Sequence, residues 1–110
     1  MNLKQRNLTV TFSGSLPVTC GGIGSSAAFA TSFARATNSK FNLGLNEEQI
    51  NQAAFAGEKA VHGNPSGIDN TASAFGGVIK FCKQDPYTFS KINIKSSVEV
   101  VIVDSGKKTN

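Results

Sequence analysis

Two stretches of the 110-residue sequence hold residues whose types and spacing could do chemistry. The first is Val61-His62-Gly63-Asn64-Pro65-Ser66-Gly67-Ile68-Asp69-Asn70. A helix-like segment runs into it. Pro65 lacks an N–H and Gly67 tolerates positive φ, so the chain can turn sharply there and hold Asp69 at a bend in a fixed direction. That presentation suits a catalytic carboxylate. The alternative is that Asp69 caps a short helix beginning at Asn70, Thr71 and Ala72.

The second stretch is Cys20-Gly21-Gly22-Ile23-Gly24-Ser25-Ser26. A glycine-rich loop that leaves a strand and opens a helix exposes backbone N–H groups with no intrahelical acceptor. They point where the positive end of the helix dipole points, and such a place binds phosphate. The hydroxyls of Ser25 and Ser26 can add a hydrogen bond to a phosphate oxygen or a ligand to Mg²⁺, which prefers oxygen donors and keeps several waters. No Lys follows the last glycine, so the loop is not a Walker A element, and its spacing is not that of a dinucleotide-binding turn. A glycine-rich turn with an ordinary Ser N-cap is the alternative.

The elements that must position these residues follow from periodicity. Leu8, Val10 and Phe12 alternate with Thr9, Thr11 and Ser13, which predicts a strand over 7–13 with one face buried. Residues 14–24 read as a loop. From Ser25 to about Ser39 the small residues, with Phe29 and Phe33 one turn apart, predict a closely packed, buried helix. Leu43-Gly44-Leu45 ends it. Asn46 with Gln49 three residues on has capping-box spacing, and Glu47 and Glu48 suit the positive end of a second helix. Ile50, Ala53, Ala54, Gly57 and Val61 form its apolar or small stripe, with Glu58 at the border. Gly57 weakens a helix by about 1 kcal/mol against Ala, which implies a close neighbour on that face.

Beyond Asp69 a short helix runs to about Phe75 and stops at Gly76-Gly77. Val78, Ile79 and Phe81 predict a strand, Gln84 to Tyr87 a turn, and Phe89, Ile92 and Ile94 a loosely alternating stretch. Residues 98–103, β-branched at five of six positions, predict the strongest strand of the chain. Strands on both sides of a helical block give an α+β or mixed α/β class.

Composition bounds the rest. The length is that of one domain or part of one, and 39% hydrophobic residues with eight Phe, eleven Gly and no Trp suit a compact soluble domain. The net charge of +4 comes from scattered Lys. Without a clustered basic stripe no nucleic-acid partner is expected, and a weak positive field suits an anionic small molecule. Cys20 and Cys82 fit no metal spacing, and free thiols in a reducing compartment are expected. No apolar run nears the roughly 20 residues that span a bilayer, so no membrane partner and a cytoplasmic location are expected.

Leu16-Pro17 followed by Gly22-Ile23-Gly24-Ser25-Ser26-Ala27-Ala28 resembles the phosphate-binding motif of the GHMP kinases. Gly57-Glu58-Lys59, then His62 to Asn70 and Gly76-Gly77, is most similar to the mevalonate kinase branch of that family. The resemblance implies an incomplete α+β N-terminal domain of the ribosomal protein S5 domain 2-like kind over 1–103, with 104–110 starting the crossover to a C-terminal domain. It also implies ATP-dependent phosphorylation of the C5 hydroxyl of mevalonate, in isoprenoid precursor synthesis. Asp69 would be the general base, and Glu58 and Ser26 would hold Mg²⁺. Gly21, Gly22, Ile23, Gly24, Ser25 and Ser26 would cradle the ATP phosphates.

The match corresponds to the middle of a family member, without the first strands that carry an active-site Lys and without the second domain. The chain therefore reads as a fragment, inactive alone, with a homodimer open to the full-length protein. Other GHMP kinases acting on a sugar or homoserine, a diphosphomevalonate decarboxylase-like enzyme, and a noncatalytic phosphate-binding remnant are the alternatives. His62 reads as a partner of its helix's dipole, Cys20 as a packing residue and Lys59 as a solvated charge.

Overall fold

A computed structural model describes residues 7–14, 22–103 and 106. Gly21 and Cys20, with the rest of 15–21, lie outside the described residues, as do 104–105 and 107–110. The elements in order are α1 (Ser25–Phe41), α2 (Glu47–His62), α3 (Ile68–Phe75), β1 (Val78–Cys82) and β2 (Thr88–Ile92). The three helices pack on one another, and β1 and β2 form a two-stranded antiparallel sheet with Phe81 opposite Phe89.

Local chemistry accounts for the element ends. At the close of α1, Asn42 takes the left-handed conformation that Asn tolerates, and Leu43 N–H returns to Asn38 O at 3.1 Å. The Asn38 amide then brackets Leu45, donating to its carbonyl at 3.1 Å and accepting from its N–H at 2.9 Å. This aims the chain into α2. There the capping box forms as expected: Asn46 Oδ1 accepts from Gln49 N–H at 2.9 Å and Gln49 Oε1 accepts from Asn46 N–H at 3.0 Å. Arg35 ties the three helices at their far end, reaching both Glu47 Oε2 and the carbonyl of Ala74 at 2.5 Å.

The interior is small and partly polar. Ala27, Ile50, Ala54 and Ala74 are buried beside Thr31, Asn51, Glu58, Asn70 and Thr71. Small side chains let the backbones approach. A Cβ built on Gly57 would stand 3.5 Å from Ala30 Cβ, an ordinary contact, so Ala30 is its neighbour but does not require glycine there. Two expectations for the helices are corrected. Phe29 and Phe33 of α1 are about half exposed, with the Phe29 ring stacked on Phe12 at 3.9 Å, so α1 is not a buried helix here. The inward face of α2 is Ile50, Asn51, Ala54 and Glu58, while Ala53 and Val61 face out. The stripe is rotated because Asn51 and Glu58 find hydrogen-bond partners inside, which removes most of the cost of burying them.

Two expected strands are absent. Residues 7–13 and 98–103 join no sheet, and Val101 is 84% exposed. A strand exists only with a ladder to pair its N–H and C=O groups, and among the described residues β1 and β2 pair only with each other. None of the described helices is long and apolar enough to cross a membrane.

Candidate active site

The start of α1, the end of α2 and the start of α3 meet at one place. Gly24 turns the chain into α1 with φ of 69°, a conformation costly for any residue with a Cβ, and no side chain caps the helix. The first-turn N–H groups of α1 are thus left without a side-chain acceptor from the cap, which suits an anion. Ser26 lies in that first turn. Its hydroxyl donates to Glu58 Oε1 and sits 3.1 Å from His62 Nε2. Glu58 and His62 are one helical turn apart on α2, with His62 Nε2 3.8 Å from Glu58 Oε2. Glu58 is 6% exposed, whereas the His62 ring is open to solvent.

Asp69 comes from α3. The Pro65-Ser66-Gly67 turn ends with Gly67 at φ of 86°, packed so that a Cβ there would lie 3.6 Å from the Phe55 ring and 3.7 Å from the Phe81 ring. Ser66 Oγ accepts from Ile68 N–H at 3.3 Å, and Thr71 Oγ1 donates to Gly67 O at 2.6 Å. The N-cap is Gly67, and Asp69 sits inside the first turn. The capping alternative for Asp69 is therefore corrected: α3 begins two residues earlier than expected, because Gly67 can take the left-handed turn that starts it. Freed from capping, the Asp69 side chain lies against the loop. A Cβ built on Gly24 would be 3.6 Å from Asp69 Cβ and 3.8 Å from Oδ1.

Glu58, His62, Pro65, Ser66, Gly67, Asp69 and Asn70 line a pocket of about 180 Å³. A larger hollow of about 490 Å³ lies between α2 and the hairpin, bounded by Glu48, Phe55 and Tyr87, with none of these groups in its wall. Of the expected site residues, Ser26 meets Glu58, Gly24 lies against Asp69, and Glu58 and Asp69 share the smaller pocket; Gly22, Ile23 and Ser25 flank Gly24 in the chain, and Gly21 lies outside the described residues. The helix-end reading of His62 missed its contact with Ser26, which only the crossing of α1 over α2 creates.

The Ser26–Glu58 pair also bears on metal binding. Among the described residues no group of three or more His, Cys, Asp and Glu side chains could hold an ion. A hydroxyl and a carboxylate in contact at a helix start are instead a partial set of hard oxygen donors. That fits Mg²⁺, which completes its shell with waters and phosphate oxygens.

Comparison with known proteins identifies the family. Residues 1–77 match the family described as GHMP kinases N terminal domain. A mevalonate kinase of Arabidopsis thaliana is 44% identical over 86 residues, covering 67% of this chain and 22% of the relative. A homoserine kinase of Saccharolobus islandicus is 36% identical over 81 residues, covering 74% of this chain and 26% of the relative. A crystal structure of L. major mevalonate kinase in complex with R-mevalonate superposes with a TM-score of 0.64 at 41% identity, covering 68% of this chain and 23% of that one. The chain therefore spans about a quarter or less of the length of these proteins.

Proposed function

The chain belongs to the GHMP kinase family by its N-terminal domain, and from that premise we propose that the full-length protein transfers the γ-phosphoryl group of ATP to the C5 hydroxyl of mevalonate. The hydroxyl oxygen attacks the γ-phosphorus, its proton passes to the Asp69 carboxylate, and ADP departs. Phosphoryl transfer asks the protein mainly for positioning, charge neutralisation and a carboxylate near the attacking oxygen. The first-turn N–H groups after Gly24, with residues 21–26, would receive the phosphates. Ser26 and Glu58 would hold a magnesium ion, which when bound neutralises charge on the phosphate oxygens. Residues 1–103 would form part of the N-terminal domain, and 104–110 would start the crossover to a second one.

The observation that best supports this reading is the approach of Asp69 to Gly24, since it brings a carboxylate to the mouth of an anion-binding helix start. The homoserine kinase relatives make homoserine the alternative acceptor. ADP release measured by a coupled assay with mevalonate, homoserine or galactose distinguishes them. Turnover is expected with mevalonate alone, and preference for either other acceptor would move the assignment to that substrate.

The 110-residue chain by itself is expected to be inactive in the same assay. Nucleotide, metal and acceptor must be fixed within about 3–3.5 Å of attack geometry, and the chain supplies about a quarter or less of the length of its relatives. Weak ATP binding by the chain alone is compatible with this, because helix N–H donors need only local geometry. Turnover of mevalonate by the isolated chain would show that it holds a whole site.

A further inference from the structure

The largest side chains that are fully buried among the described residues are Asn51, Asn70 and Thr71, all polar. They form one connected set. Asn70 Nδ2 donates to Asn51 Oδ1 at 2.6 Å and lies 3.5 Å from Asn51 O. Asn51 Nδ2 donates to Tyr87 Oη at 2.9 Å and approaches Thr71 Oγ1 at 3.4 Å. Thr71 closes on Gly67 O, and Tyr87 Oη is 3.5 Å from Glu48 Oε1. Burial, and then the Glu48 carboxylate, push the Tyr87 phenol above its ordinary pKa, so it keeps its proton.

The placement of this set is what gives it meaning. Asn70 directly follows Asp69 in the first turn of α3. Asn51 lies on the inward face of α2 two helical turns before Glu58. One hydrogen bond therefore joins the base-bearing turn to the helix that carries the other carboxylate. Apolar contacts between helices tolerate sliding, whereas buried amides are directional and leave a costly unpaired group when displaced. We propose that Asn51 and Asn70 are positioning residues that hold Asp69 at its working separation from the Ser26–Glu58 pair. This rests on the kinase reading above, and Tyr87 steadies the clamp from the hairpin side.

The test uses the full-length protein with Asn51→Leu and Asn70→Leu together, because replacing both partners of a buried bond by apolar groups of similar shape can leave stability nearly unchanged. With melting close to wild type, kcat is expected to fall about ten- to a hundredfold, the scale of small misplacements of reacting groups, while KM for ATP stays within about twofold. A folded double variant with wild-type kcat would overturn the proposal. Should it fail to fold, Tyr87→Phe replaces it: a smaller fall in kcat at unchanged ATP KM supports the clamp, and no change in kcat overturns it. Hydrogen exchange gives a readout without turnover. The amides of residues 71–74 should exchange at least about tenfold faster in the double variant (or in Tyr87→Phe, to a lesser degree) and those of α1 at the wild-type rate; unchanged exchange in α3 also overturns the proposal. A wild-type protein idle with every acceptor, its double variant still showing this exchange pattern, would count against the kinase reading and leave the clamp in place.

Discussion

Asp69→Asn in the full-length protein is expected to lower kcat by roughly two to four decades, the usual scale on which loss of a general base is felt, with little change in ATP affinity. Asn has nearly the same shape and keeps the first turn of α3 polar, so the turn held by Gly67, Thr71 and Asn70 should survive. The carboxylate's favourable meeting with the helix dipole is lost, at a cost of about 0.3–1 kcal/mol. That is too small to explain a loss of activity by unfolding. What Asn cannot do is take the proton from the attacking hydroxyl. The loop side of the site is untouched, which is why ATP titration should look normal. Wild-type-like turnover in the variant would leave Asp69 with only a structural part to play.

Glu58→Gln is expected to act on the metal instead. Glu58 is almost fully buried and receives the Ser26 hydroxyl. A Gln carbonyl can accept the same hydrogen bond, so the α1–α2 contact is retained and only the negative charge disappears. The Mg²⁺ concentration needed for half-maximal rate should rise at least about tenfold to a hundredfold, since even outer partners of metal ligands act on that scale. Calorimetric titration of magnesium–nucleotide binding checks the effect without turnover and should show weakening of the same order. An unchanged magnesium requirement with a reduced melting temperature would mark Glu58 as a packing residue.

How much of this was legible in the sequence depended on how local each signal is. The α2 start was readable because the Asn46–Gln49 box is complete within four residues, and the hairpin strand β1 because its apolar run is bounded by Gly76-Gly77 and a turn. The start of α1 at Ser25 followed from the glycine loop. Residues 7–13 and 98–103 have strand composition, but strand is a property of a pair, and no partner for either lies among the described residues. The inward face of α2 was misjudged for a related reason: Asn51 and Glu58 look like surface residues until Asn70 and Ser26 are brought to them from other helices. Asp69, Glu58 and Ser26 were legible as a set through family resemblance. The contacts of His62 and Asn51 were not, because they arise where helices cross.

The six residues from Val98 to Val103 stand almost wholly in solvent with Glu99 as their one charge. To the quality-control machinery of a cell, such a stretch signals unfinished protein: β-branched, without proline or glycine, and of the composition that stacks into intermolecular sheets. Holdase chaperones that bind non-native chains shift the balance away from the folded state, and proteases remove what stays open. For the 110-residue chain expressed alone, lifetime would then be governed less by the stability of its three helices than by how soon those six residues are covered. In that isolated chain, a charge introduced at the exposed Val101 is expected to slow aggregation without touching the site.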